Sequence, residues 1–152
     1  MSEAYYSITQ LIERLHRRYL DVLRSELNKE GVKDINPVQC LLLMNIGDEE
    51  INVRNLMDRG YYQGSNASYN IKKLVENDYI VQRRSDHDRR STIIKVTDKG
   101  MALCNQIRDF QSKHAEVIVS EQTGRKVDLE SAATALRELE RTWTDYLRFQ
   151  LY

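Results

Sequence analysis

The sequence predicts a mainly α-helical fold carrying one small β-hairpin, and three observations predict it. Apolar residues recur at spacings of three and four along most of the chain, the period of amphipathic helices. Only between Ile80 and Thr97 do runs rich in Ile, Val and Thr give the composition of β-strands. Between those runs stands Ser85-Asp86-His87-Asp88-Arg89-Arg90-Ser91, a polar tip without glycine. Tight hairpin turns favour Asn-Gly or Asp-Gly for their positive φ angles. Two arginines at this tip therefore ask for a reason beyond turn geometry.

The elements follow in order. Ile8, Leu11, Ile12, Leu15, Tyr19, Val22, Leu23 and Leu27 form one stripe of a first helix, opposite Glu13, Arg14, Arg17, Arg18, Asp21, Arg24 and Glu26. Gly31 stops it. Asn36-Pro37 opens a second helix, Val38–Ile46, with Asn as N-cap and Pro at the first helical position. That helix is almost wholly apolar and belongs in the core. A third helix, near 52–59, is capped by Asn52 and holds Val53, Leu56 and Met57. After Gly60-Tyr61-Tyr62-Gln63-Gly64, Ser65 is the expected cap of a fourth helix through Asn77, with Ala67, Ile71, Leu74 and Val75 inward. The hairpin follows. Thr97-Asp98-Lys99-Gly100 then starts a long helix from Met101 to about Ser120, Gly124 marks a break, and a last helix runs from Asp128.

At 152 residues the chain is one compact unit, read as an N-terminal helix at 1–35, a central domain at 36–100 and C-terminal helices at 101–152. Its 23 basic and 23 acidic residues cancel, so only their distribution can point to a charged partner. No apolar run approaches the roughly 20 residues of a membrane span. The N-terminus lacks the pattern of a signal peptide, and the expected location is the cytoplasm. Cys40 and Cys104 show no metal-site or disulfide-framework spacing and read as buried, reduced thiols. His16, His87 and His114 are scattered, with no metal-ligand spacing. There is no nucleophile motif, no phosphate loop and no convincing pair of carboxylates. The chain reads as no enzyme, with no cofactor and no metal.

The last helix spaces Leu129, Ala132, Leu136, Leu139, Trp143 and Leu147 by threes and fours, the seam of helices that pack on helices. The first helix does the same at Ile8, Leu11 and Leu15. Such a stripe serves equally as the inside of one monomer. Here both stripes flank the compact middle, where a small domain has little surface to spare. A second copy of the chain is the expected receiver, making these residues a dimerisation surface.

In the middle, two helices joined by a short turn and followed at once by a hairpin make a winged helix-turn-helix. The fourth helix is expected to expose Ser65, Asn66, Ser68, Tyr69, Asn70, Lys72 and Lys73, with no acid before Glu76. Hydroxyls and amides read base edges in the major groove, and lysines neutralise phosphates. From Ser65 to Lys95 there are seven basic residues and four acids, a modest local excess. The topology carries most of the weight.

The stretch from Leu56 to Gly100, and above all "NIKKLVENDYIVQRRSDHDRRSTIIKVTDKG", resembles the MarR family of winged-helix transcriptional regulators. Asp88 and Arg90 fall on that family's DxR wing motif, at the right distance from Val96-Thr97, and the helix order extends the resemblance over nearly the whole chain. The resemblance answers the question of the arginines. Arg90 is expected to enter a DNA minor groove, whose negative potential attracts a guanidinium. Asp88 is expected to hold either that guanidinium or the wing backbone, with His87 and Arg89 near phosphates. The chain departs from the family at Tyr69, where members usually carry Arg, and at Gly60-Tyr61, where they carry Leu-Gly. Both departures bear on which DNA sequence is read.

The resemblance further implies a homodimeric repressor that binds a pseudo-palindromic duplex and is released by a small aromatic or weakly acidic organic effector. The expected effector lining is Tyr19, Met44, Tyr61 and Tyr62, although simple packing of the turn explains the two adjacent tyrosines as well. The alternative is a winged-helix protein-interaction or architectural module without operator binding. The polar face of the fourth helix favours the regulator, since a protein-docking face would expose more apolar surface.

Overall fold

In the computed structural model the described residues are 1–60, 62–119 and 127–149. They form α1 (Ser2–Lys29), α2 (Pro37–Ile46), β1 (Ile51–Asn52), α3 (Val53–Gly60), α4 (Gly64–Glu76), β2 (Ile80–Arg84), β3 (Thr92–Val96), α5 (Asp98–Val119) and α6 (Leu129–Phe149). The expected break at Gly124 lies outside the described residues. The chain divides into two compact units, Met1–Ile107 and Arg108–Tyr152, so the division falls inside α5.

Local chemistry sets the ends of the elements. Asn36 and Gln39 form a reciprocal capping box: the Gln39 N–H donates to Asn36 Oδ1 at 2.8 Å, and the Asn36 N–H to Gln39 Oε1 at 3.1 Å. A cap of this kind contributes about 0.5–2 kcal/mol. Asn52 Oδ1 takes the Arg54 N–H at 2.8 Å ahead of α3. Thr97 Oγ1 takes the Gly100 N–H at 3.1 Å to start α5. Asp128 opens α6 by accepting from the Ser131 N–H at 3.1 Å. Ser65 does not cap α4. Gln63 is the N-cap, without a side-chain bond, and Ser65 lies in the first turn. The helix starts at Gly64, two residues earlier than a Ser65 cap would place it.

The core lies wholly within the first unit. Leu23 and Leu27 of α1, Leu42, Leu43 and Ile46 of α2, Leu56 of α3, Ile71 and Leu74 of α4, Ile80, Ile94 and Val96 of the sheet, and Leu103 and Ile107 of α5 all meet there. The sheet has order β1-β3-β2 and is antiparallel throughout. The hairpin register runs from Ile80 opposite Val96 to Arg84 opposite Thr92. Strand β1 was not expected. Its two residues are too few to show a period, and they are held by pairing Ile51 with Ile94 and Asn52 with Ile93.

In the second unit α6 presents its stripe to solvent. Leu136, Trp143 and Leu147 are exposed, Leu139 is half-buried, and no residue of α6 is buried. At the other end of the chain, Leu11 and Leu15 of α1 are exposed and Ile8 is half-buried. Among the described residues no helix is long and apolar enough to cross a membrane.

Candidate nucleic-acid interface

Helix α4 buries Ala67, Ile71 and Leu74, which turns Ser65, Asn66, Ser68, Tyr69 and Lys72 to solvent. Asn70 and Lys73 are half-buried, not exposed as the sequence led us to expect. At 3.6 residues per turn they fall beside the buried stripe rather than opposite it. Asn70 Oδ1 is engaged by Gln39 Nε2 at 3.3 Å, tying the helix to α2. Lys73 Nζ donates to Glu76 Oε2 at 3.2 Å, which holds the ammonium above its usual pKa, and stands 5.8 Å from the Tyr69 ring centre. Lys72 is the freer cation, 4.0 Å from Glu76 with its side chain largely exposed. The exposed face therefore consists of small hydroxyls, one amide, one tyrosine and one lysine, and Glu76 marks its C-terminal limit.

The wing tip is built by Asp88. Its Oδ1 accepts the Arg90 N–H at 2.9 Å, its Oδ2 accepts the Ser91 hydroxyl at 3.2 Å, and its carbonyl accepts the Ser91 N–H at 2.9 Å. Of the two roles open to Asp88, the structure shows the backbone one. A carboxylate that bonds the backbone two residues on makes a turn without glycine. The Arg90 guanidinium, relieved of that task, has no ion-pair partner among the described residues and projects from an exposed tip. His87 and Arg89 are exposed beside it, and the Arg89 carbonyl accepts from Arg84 Nη1 at 3.4 Å. Arg90 and Asp88 share a groove with Arg54 and Asn55 of α3. Arg54 thus joins the basic side chains on this side of the molecule, a placement that helical periodicity could not show because it depends on the hairpin folding back over α3.

Arg83 is differently placed. Its Nη2 donates to Glu50 Oε2 at 2.8 Å, across the central strand β3, and this holds the Glu50 carboxyl below its usual range. No local sequence pattern signals this pair, which joins residues 33 positions apart.

The expected effector residues are partly buried. Tyr19, Met44 and Tyr62 each pack against the core, while Tyr61 lies outside the described residues. The Tyr62 hydroxyl takes a bond from Asn45 Nδ2, and its ring lies so close over Gly60 that a Cβ there would overlap it. Any larger residue at 60 would push the Tyr62 ring aside. Cys40 and Cys104 are both buried. Burial, reinforced by the neighbouring Cys104, pushes the Cys40 thiol up to about 12, leaving it unreactive near neutral pH.

A helix-turn-helix whose second helix shows polar side chains to solvent, followed by a hairpin with a basic tip, defines a winged-helix DNA-binding transcription regulator rather than an enzyme. Residues 35–100 match the winged helix DNA-binding domain family. Over 145 residues the chain is 39% identical to the exopolysaccharide II synthesis transcriptional activator ExpG of Rhizobium meliloti (strain 1021), covering 95% of this chain and 74% of that protein. The fold is shared with a MarR transcriptional regulator from Methanosarcina mazei Go1, with a TM-score of 0.71 at 24% identity over 94% of this chain and 98% of that one. It is shared equally with Streptococcus pneumoniae FabT, solved in complex with DNA, with a TM-score of 0.72 at 19% identity over 93% and 98% of the two chains. The chain belongs to the MarR family of winged-helix transcriptional regulators.

Proposed function

We propose that two copies of this chain bind a pseudo-palindromic DNA operator, one reading head per half-site, and repress the adjoining promoter until a small aromatic or weakly acidic molecule releases them. The observation that carries the reading is the wing tip. Asp88 holds the Arg90 N–H and the Ser91 hydroxyl with its carboxylate, and the Arg90 guanidinium has no ion-pair partner among the described residues at the end of a hairpin beside a polar helix face. An exposed guanidinium suits the narrow, negative minor groove, while the exposed Ser65, Asn66, Ser68 and Tyr69 present hydroxyls and an amide of the kind that reads base edges. Lys72 and Arg89 suit phosphates.

Dimerisation is supported by the apolar stripes. Leu11 and Leu15 near the start of the chain, and Leu136, Trp143 and Leu147 near its end, are exposed in the single chain. Burying each contributes about 1.5–3 kcal/mol, so several together exceed the entropy cost of association. For the effector, Tyr19, Met44 and Tyr62 offer aromatic faces, a soft thioether and hydroxyls, chemistry that suits a flat organic acid.

The sign of control depends on where the operator lies relative to the promoter, and one observation favours a second reading. The relative at 39% identity is named an activator of exopolysaccharide II synthesis. One experiment covers both readings: gel shift on the intergenic DNA beside the protein's own gene, titrated with a panel of aromatic acids, and transcription from that promoter with and without protein. A retarded complex released by an aromatic acid, with transcription falling on binding, is the expected result. Transcription rising on binding selects the activator, and no retarded complex at all favours a protein-interaction module. Tyr62→Phe, which loses only the Asn45 bond, is expected to keep DNA affinity and blunt release.

A further inference from the structure

Away from the DNA face, three segments distant in sequence meet at one carboxylate. Asp34, in the loop between α1 and α2, accepts from Tyr79 Oη at 2.5 Å and from Lys99 Nζ at 2.7 Å. Lys99, in the first turn of α5, also donates to the Asn77 carbonyl at 2.8 Å and stands 4.3 Å from the Tyr79 ring centre. Asn77 Nδ2 returns a bond to the Asp34 carbonyl at 3.0 Å. Thr97 closes the cluster, donating its hydroxyl to the Asp78 carbonyl at 2.6 Å and its N–H to the Tyr79 carbonyl at 3.0 Å. Gly100 admits this approach, because a Cβ there would overlap the Tyr79 carbonyl oxygen.

The turn Asn77-Asp78-Tyr79 is the whole connection between the end of α4 and the start of β2. The contacts of the cluster join that turn to the loop after α1 and to the root of α5, and the Asp34–Lys99 bond joins the loop to α5 directly. We propose that Asp34, acting through Lys99 and Tyr79, is the positioning residue that fixes the direction in which α1 and α5 leave the reading head, and so sets the half-site spacing of the operator. The proposal rests on the dimer and operator reading given above.

Geometry makes such a joint consequential. Within the first unit α5 runs from Asp98 to Ile107, about 15 Å at 1.5 Å per residue. A rotation of about 10° at its root displaces the end of that segment by roughly 2.6 Å, most of the ~3.4 Å rise of one base pair. Two symmetric arms double the error. The Asp34 and Lys99 side chains are 42% and 48% exposed. So exposed an ion pair contributes little to stability, and its value lies in the direction it imposes.

The test uses the full chain and the palindromic duplex that the wild type selects from a random DNA library, together with versions one base pair longer and one shorter between the half-sites. The wild type is expected to prefer its own spacing at least tenfold. Asp34→Asn keeps an acceptor for Tyr79 but loses the charge that holds Lys99, and is expected to reduce the preference to within about threefold. Lys99→Gln, which leaves Asp34 in place, is expected to do the same. An unchanged spacing profile in either folded variant overturns the proposal, as does an equal loss of affinity at all three spacings, which a merely stabilising contact would give. A wild type that binds an isolated half-site as tightly as the full duplex overturns the dimer reading itself, and is distinguishable because it concerns no variant.

Discussion

Helix α2 and helix α6 are both rich in apolar residues, and the chain treats them in opposite ways. In its ten residues α2 buries Pro37, Gln39, Cys40, Leu42, Leu43 and Ile46; α6, with 21 residues, buries none. Helix α2 is apolar over most of its surface and packs it within the first unit, with Val38 and Asn45 left exposed. Helix α6 is apolar on one stripe, and that stripe meets water in the single chain. An apolar stripe left in solvent marks a place where another surface fits. The contrast separates residues that make the fold from residues kept for a partner, although both look alike as letters.

Substitution is the most forceful way to break the contrast. Leu56 of α3 is fully buried, and Leu147 of α6 is 76% exposed. Leu56→Ala is expected to lower unfolding stability by about 2–5 kcal/mol, measured by urea denaturation at fixed protein concentration. Leu147→Ala is expected to leave the unfolding of the first unit unchanged and to make the Tm more dependent on protein concentration. Equal effects from the two would erase the distinction.

A smaller effect is expected within the reading head, where arginines divide into paired and unpaired. Arg90→Ala is expected to weaken operator binding by about 1–3 kcal/mol without altering the melting curve. Glu50→Gln, which removes the shorter of two carboxylate contacts of Arg83 and leaves Asp86 at 3.9 Å, is expected instead to strengthen binding to all sequences alike. The salt dependence should then steepen by about one phosphate contact, read as the slope of log affinity against log salt.

The smallest effect concerns pH. Burial pushes the Asp34 carboxyl up, but hydrogen bonds from Lys99 and Tyr79 and the charge of Lys99 outweigh it, and the net shift is downward. A carboxylate with a depressed folded pKa adds stability above its unfolded value, and that stability is lost as pH falls through the folded value. The Tm difference between wild type and Asp34→Asn is therefore expected to be constant above about pH 5 and to vanish below the folded pKa, under the ordinary Asp value of about 3.9. A difference that persists at pH 2 would contradict the account of that carboxylate.

Much of this fold was legible because local rules suffice where the sequence repeats with a period or caps an element. The stripe of α1, the Asn36-Pro37 start of α2, the Thr97 start of α5 and the two strands of the wing all follow from neighbours within four residues. Strand β1 was not legible, since two residues carry no period and only pairing with β3 defines them. The start of α4 was misplaced by a serine that looks like a cap and is not one. In the candidate site, the DxR spacing located Asp88 and Arg90 but left two roles open for the carboxylate. The Glu50–Arg83 pair, the Gln39–Asn70 bond and the bonds that Asp34 receives span 31 to 65 positions, and no local pattern encodes them.

In the proposed assembly two chains, joined through faces that stay exposed in one, present two reading heads to one duplex. Sedimentation velocity of the wild type, free at micromolar concentration and bound to its selected duplex, tests it most directly. The account predicts a free species of two chains and a complex of two chains per duplex, both disrupted by Leu136→Glu with Leu147→Glu while the first unit stays folded. A free species of one chain that saturates the duplex one to one would contradict it.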